Sequence, residues 1–153
     1  VLVGPATATL CLTVVLAVQA FLFADGGVSA LGTNVLLMGV IAVWVGYGAF
    51  RLALAVLPRR LSSVSVAAGV GAFVSVPVAA LAFVGLYALG GAAPIPLASL
   101  AAFMTGWHVL IGVGEAAITV LAVSSVAAAR PDLVHGARGR LPVLELRTPE
   151  PVA

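Results

Sequence analysis

Residues 97–129 read LASLAAFMTGWHVLIGVGEAAITVLAVSSVAAA, and this stretch decides the fold class. It is lipid-compatible from end to end except for one acid, Glu115, and one imidazole, His108. About twenty helical residues cross a hydrocarbon core of roughly 30 Å, so the segment spans with length to spare and must tilt or protrude. Glu115 has no charged neighbour between Leu61 and Ala129. An ionisable group in lipid costs roughly 2.5–3.5 kcal/mol on insertion scales. Glu115 is therefore expected to face a bundle interior or a wet cavity and to lean on polar partners there.

Three further apolar segments precede it, at about 5–23, 33–57 and 62–89. Pro5 suits a first helical turn, where its missing N–H costs nothing. Pro58 stops the second segment, and Pro77 predicts a kink in the third. The whole chain is 63% hydrophobic and 8% charged, against about 25% charged residues in soluble domains. The expected fold is all-α, a polytopic bundle of four transmembrane helices over residues 1–130. A transmembrane barrel is excluded because its strands would alternate apolar and polar residues, whereas these runs are continuous.

Charge gives the orientation. All seven basic residues are Arg, and they lie outside the apolar runs or, for Arg51, near the end of one. They read as membrane-flank charges facing lipid and water, not as a nucleic-acid surface. Arg51, Arg59 and Arg60 flank the second junction; Arg130, Arg138, Arg140 and Arg147 follow the last segment. The loops at Ala24–Leu31 and Gly90–Pro96 carry no base. The positive-inside rule places the Arg-bearing ends in the cytoplasm and both loops outside. Residues 131–153, interleaving Pro with charge, read as a flexible cytoplasmic tail.

Polar residues at or near membrane depth are the candidate site: Gln19, Asp25, Asn34, His108 and Glu115. Gln19, Asp25 and Asn34 fall toward the same, outer side. They line a wet pocket, or they make ordinary interhelical hydrogen bonds. His108 and Glu115, seven residues apart, project to nearly the same helix face, with Gly112 between them leaving room for a neighbouring backbone or a small ligand. Two ligands at that spacing cannot fill a metal's coordination sphere. Gly32, Gly39 and Gly46 form a stripe at seven-residue spacing, read as a surface for helix packing or for a partner. Cys11 stands alone and packs as a small hydrophobe. No Walker A, HExxH or GxSxG pattern is present, and no soluble domain could house an ATPase; the chain is not expected to be an enzyme.

Two stretches carry a family resemblance. Gln19-Ala-Phe-Leu-Phe-Ala-Asp-Gly-Gly-Val-Ser-Ala-Leu-Gly-Thr-Asn34 with Met38-Gly39, and His108-Val-Leu-Ile-Gly-Val-Gly-Glu115-Ala-Ala-Ile-Thr119 with Arg130-Pro131-Asp132-Leu133, resemble signatures of the CbiM/NikM family. Its members are substrate-binding membrane components of energy-coupling-factor (ECF) ABC transporters. The resemblance implies a multi-pass protein of the bacterial cytoplasmic membrane that captures Co²⁺ (or Ni²⁺) as substrate, without a covalently bound cofactor, for cobalamin biosynthesis. It implies a transmembrane coupling subunit and ABC ATPases as partners, with place for a small accessory membrane subunit. In that family the metal ligands come from an N-terminal Met-His and a further His; both would lie upstream of Val1. The chain begins at Val1, already within an apolar stretch, and is expected to be a piece of a longer protein. The resemblance leaves Gln19, Asp25, Asn34, His108 and Glu115 as polar support for the ligand segment. Asp25, in Phe-Ala-Asp-Gly-Gly, resembles the cobalt branch more than the nickel branch. The residues alone leave two other readings: a membrane scaffold without its own ion site, and a proton-coupled cation carrier that titrates Glu115.

Overall fold

A computed structural model describes residues 1–23 and 25–137. Residues 138–153, with Arg138, Arg140 and Arg147 of the expected tail, lie outside the described residues. Four long helices are present: α1 (Pro5–Leu22), α2 (Val28–Val56), α3 (Leu61–Gly90) and α4 (Leu97–Ala129). No strand occurs among the described residues. Each helix is long and apolar enough to cross a membrane. At about 1.5 Å per residue, the 33 residues of α4 extend well beyond a hydrocarbon core of about 30 Å.

The helices are laid out in chain order. Among the described residues α1 packs on α2, α2 on α3, and α3 on α4, whereas α1 touches neither α3 nor α4 and α2 does not touch α4. α2 and α3 are therefore the inner members, each with a helix on either side, and α3 has the more buried residues of the two. Its first three turns explain why. Ser63, Val64, Ser65, Ala67, Ala68, Gly69 and Gly71 are all buried. Lipid tails are as apolar as any side chain, so helices associate in a membrane through close van der Waals contact, and small residues permit the approach.

The two contact lines on α3 are cut to backbone distance. A Cβ at Gly71 would lie 2.6 Å from the Gly46 carbonyl oxygen on α2, and one at Gly69 would lie 3.3 Å from the Ala116 carbonyl oxygen on α4. Further along, Pro77 sits inside α3 and cannot donate to the Phe73 carbonyl four residues back. Gly112 of α4 packs on that carbonyl: a Cβ there would sit 3.1 Å from Phe73 O. The proline frees an acceptor, and the glycine lets a neighbouring helix cover it. Of the two roles open to Gly112, room for a backbone is the one realised.

α2 is not a uniform α-helix. It opens with a 3-10 turn at Val28–Ala30 and contains a π segment, Val35–Ile41. The wider i→i+5 turns of a π segment advance less around the axis per residue. The expected glycine stripe is divided for that reason. Gly39 packs on Thr9 and Thr13 of α1, Gly46 packs on Gly71 and Ser75 of α3, and Gly32 faces open space. Thr9 Oγ1, beside this contact, is buried without a hydrogen-bond partner among the described residues. Cys11 lies on the exposed side of α1 and does not pack inside.

The chain remains structured past α4. Two 3-10 turns, Pro131–Leu133 and His135–Ala137, occupy the start of the segment expected to be a flexible tail. They fold back onto the N-terminus: His135 N–H donates to Leu2 O (2.9 Å) and Gly136 N–H to Val1 O (3.0 Å). Val134 and Ala137 join Phe50, Val64, Ala67, Ala68, Val123 and Ala127 in one buried cluster. Composition alone missed this, because apolar Val134 and Ala137 are isolated between Pro and Arg and only the folded helix ends give them something to cover. At the opposite end the α3–α4 loop is fastened by Tyr87, whose hydroxyl donates to Ala93 O and accepts from Ile95 N–H (3.1 Å).

Candidate functional site

The five polar residues singled out by sequence fall into two groups. Gln19, Asp25 and Asn34 meet where α1 turns into α2. The Gln19 carbonyl accepts from the N–H groups of both Phe23 and Asp25, each at 3.1 Å, which closes α1. Gly26 follows with φ +73°, a left-handed conformation that glycine adopts at no steric cost. A Cβ at Gly26 would lie 2.6 Å from Nδ2 of Asn34, so the Asn34 amide lies directly against the loop backbone. Asp25 is exposed beside it, and Gln19 and Asn34 are half-buried.

His108 and Glu115 form the second group, on α4, which α1 and α2 do not reach. Nδ1 of His108 is 2.7 Å from the Met104 carbonyl of its own helix; as the donor, Nδ1 leaves Nε2 as the acceptor nitrogen. Glu115 is exposed and makes no hydrogen bond or ion pair with a described residue. The expectation that it turns into the four-helix unit is not met. The reason is geometric. Among the described helices α4 is covered by α3 alone, on a face set by Gly112, Val123 and Ala127. At 3.6 residues per turn, Ala116 lies on that face against Gly69, and Glu115 is turned about 100° from it.

Electrostatics at the other end is simpler. Arg130 and Asp132 form a two-point ion pair, with Nε–Oδ1 2.9 Å and Nη2–Oδ2 2.7 Å. The hydrogen bonds from Arg130 hold the Asp132 carboxyl below the usual carboxylate range. Among the described residues no group of three or more His, Cys, Asp or Glu is placed to hold a metal ion. Sequence reasoning passed over His135, which lines a cleft with Arg51 and Arg59; nothing in the one-dimensional pattern joins positions so far apart.

The geometry makes this a unit of four membrane-length helices with a polar, glycine-turned loop between α1 and α2 and a charged group on an uncovered helix face. Residues 1–133 match the family model described as the cobalt uptake substrate-specific transmembrane region. The chain belongs to the CbiM family. It is 36% identical over 134 residues to a putative metal transport protein of Haloquadratum walsbyi, covering 88% of this chain and 59% of that one. It is 37% identical to a putative fused nickel transport protein, NikMN, of Archaeoglobus fulgidus, covering 88% and 44% respectively. The cobalt transport protein CbiM of Chlorobium limicola is 33% identical, with 82% and 50% covered. A crystal structure described as a truncated transition metal transporter superposes with a TM-score of 0.72 at 34% identity, covering 82% of this chain and 62% of that one. This CbiM-family chain thus spans about half the length of the curated relatives it matches.

Proposed function

We propose that this CbiM-family chain is part of the ion-capturing membrane component of an ECF-type ABC importer. Its cargo is divalent cobalt destined for cobalamin biosynthesis in the bacterial cytoplasmic membrane. The observation that carries the reading is the family match, which runs through both signature stretches, together with the likeness to a solved transition metal transporter. In this reading ATP hydrolysis belongs to partner ATPases working through a transmembrane coupling subunit, with a small accessory membrane subunit alongside, and this chain performs no catalysis. The arginine-bearing ends face the cytoplasm, and the Gln19–Asn34 loop faces outward.

The direct metal ligands come from chain outside these 153 residues. Gln19, Asp25 and Asn34 hold the outer loop in shape beside them, and His108 and Glu115 present a polar face of α4 to the segment that carries them. An uncovered carboxylate on a membrane helix costs free energy until a polar partner covers it, which supports an assembled form larger than the four helices. Second-sphere hydrogen bonds orient metal ligands, and their loss typically costs about 10–100-fold in affinity or activity.

The test is uptake of radioactive Co²⁺ by cells making the complete reading frame with its coupling subunits. Glu115→Gln and His108→Ala are expected to lower uptake roughly tenfold or more with assembly intact. Unchanged uptake in both variants would refute the assigned roles, and uptake driven by a pH gradient without ATP would refute the ECF reading. Nickel is the second reading, favoured by the name of the 37% identical Archaeoglobus relative; competition of Ni²⁺ against labelled Co²⁺ distinguishes the two.

A further inference from the structure

We propose that the cleft at the arginine-bearing end binds the phosphate group of an anionic phospholipid, whose acyl chains lie along the outer face of α2. The cleft has a volume of about 630 Å³ and is walled by the last turns of α2, the α2–α3 loop and the turn at His135–Ala137. Arg51, Arg59, Tyr47 and His135 line it. The Arg51 guanidinium carbon lies 6.0 Å from the Tyr47 ring centroid, within reach of a cation–π contact that steadies its direction. Neither Arg51 nor Arg59 forms an ion pair with a described residue; Asp132, the acid at this end among the described residues, is paired with Arg130. Two guanidiniums offer donors and positive charge to an anion and repel the divalent cations proposed as cargo, and the imidazole adds a ring N–H donor. The cleft is therefore not part of an ion path.

What selects a lipid over a free anion is the surface next to it. Trp44, Gly48, Leu52 and Val56 recur every fourth residue and so share one face of α2. Trp44, Leu52 and Val56 are 52%, 73% and 89% exposed, and a Cβ at Gly48 would meet nothing within 4 Å. This gives an exposed apolar strip along α2, beside the cleft that Arg51 and Ala55 line. Charged groups at a helix end with an exposed apolar strip beside them match the two halves of one phospholipid. Arginines near the cytoplasmic boundary attract anionic headgroups in the same way.

Native mass spectrometry of the delipidated full chain, titrated with phosphatidylglycerol or phosphatidylcholine, tests this. The wild type is expected to prefer phosphatidylglycerol by roughly thirtyfold, the product of two basic side chains at an anionic headgroup. Arg51→Gln/Arg59→Gln should reduce that preference to near parity. Arg59→Gln alone, a loop substitution that leaves the helices untouched, should remove part of it. Arg130→Gln, at the same end but paired to Asp132, should leave it in place. Equal preference in wild type and double variant would overturn the proposal. Equal loss in Arg130→Gln would also overturn it, since it would indicate a diffuse charge effect. A third arm adds inorganic phosphate: saturable phosphate binding without any preference between the two lipids would rule out the lipid as occupant.

Discussion

α3 and α4 are comparably long and apolar, yet they occupy different environments. Among the described residues α3 has a helix on both sides, while α4 has one neighbouring helix and leaves most of its surface open. Hydropathy cannot separate them, because lipid and protein interior are equally apolar. Side-chain size does. α3 buries a dense run of Ser, Ala and Gly over residues 63–71, whereas α4 shows Phe103, Trp107, Leu110, Ile118 and Leu121 to the outside. In a membrane, bulk points to lipid and smallness points to a neighbouring helix.

Substitutions at glycine test that contrast most directly. Gly71→Leu is expected to have the largest effect, because its first added carbon already falls 2.6 Å from the Gly46 backbone oxygen, and backbone cannot rotate away. Overpacking typically costs about 1–3 kcal/mol and sometimes more, so loss of the monodisperse species in size-exclusion chromatography is the outcome to look for. Gly112→Ala should cost less, on the order of 1 kcal/mol, since its Cβ meets Phe73 O at 3.1 Å. In the Pro77→Ala background, with that carbonyl bonded within α3 again, the penalty should change; a double-mutant cycle in thermal unfolding measures the coupling, and strict additivity would break the proposed link.

A smaller effect is expected at the turn after α4. The Asp132 carboxyl is held below its ordinary range by hydrogen bonds from Arg130. The pair's contribution is therefore present above the ordinary carboxylate pKa and fades as pH falls through the lowered folded value. The protection of the Val134 amide, which donates to Pro131 O, should fall on acidification once its hydrogen exchange is referred to the intrinsic rate at each pH, and Asp132→Asn should abolish that dependence. Both groups are solvent-exposed, so the change is modest. Gly114→Leu on α4 closes the series: a Cβ there meets nothing within 4 Å, and unfolding should stay within about 0.5 kcal/mol of wild type. A large destabilisation would mean that the face near Glu115 is already in use within this unit.

The candidate site was legible only in parts. Asp25-Gly26-Gly27 announced a turn, and Gly26 does take a left-handed conformation against Asn34. The seven-residue glycine stripe reads as a packing surface, and Gly39 and Gly46 do pack on neighbouring helices, but a π segment in α2 sends them to different ones and Gly32 packs on none. Glu115 was expected inside because a charge in lipid is costly; it lies outside because α4 has a single neighbour and Gly112 claims the inner face.

The sequence by itself determined the four spans, the class of fold and the polar residues worth following, since the cost of unpaired backbone and of charge in hydrocarbon is paid residue by residue and can be read locally. Tertiary structure decided which helix lies inside, which face of α4 is covered, and that Val134 and His135 return to Phe50 and the N-terminus. Those outcomes depend on how closely two backbones approach and on contacts between residues far apart in the chain, and one-dimensional periodicity contains neither.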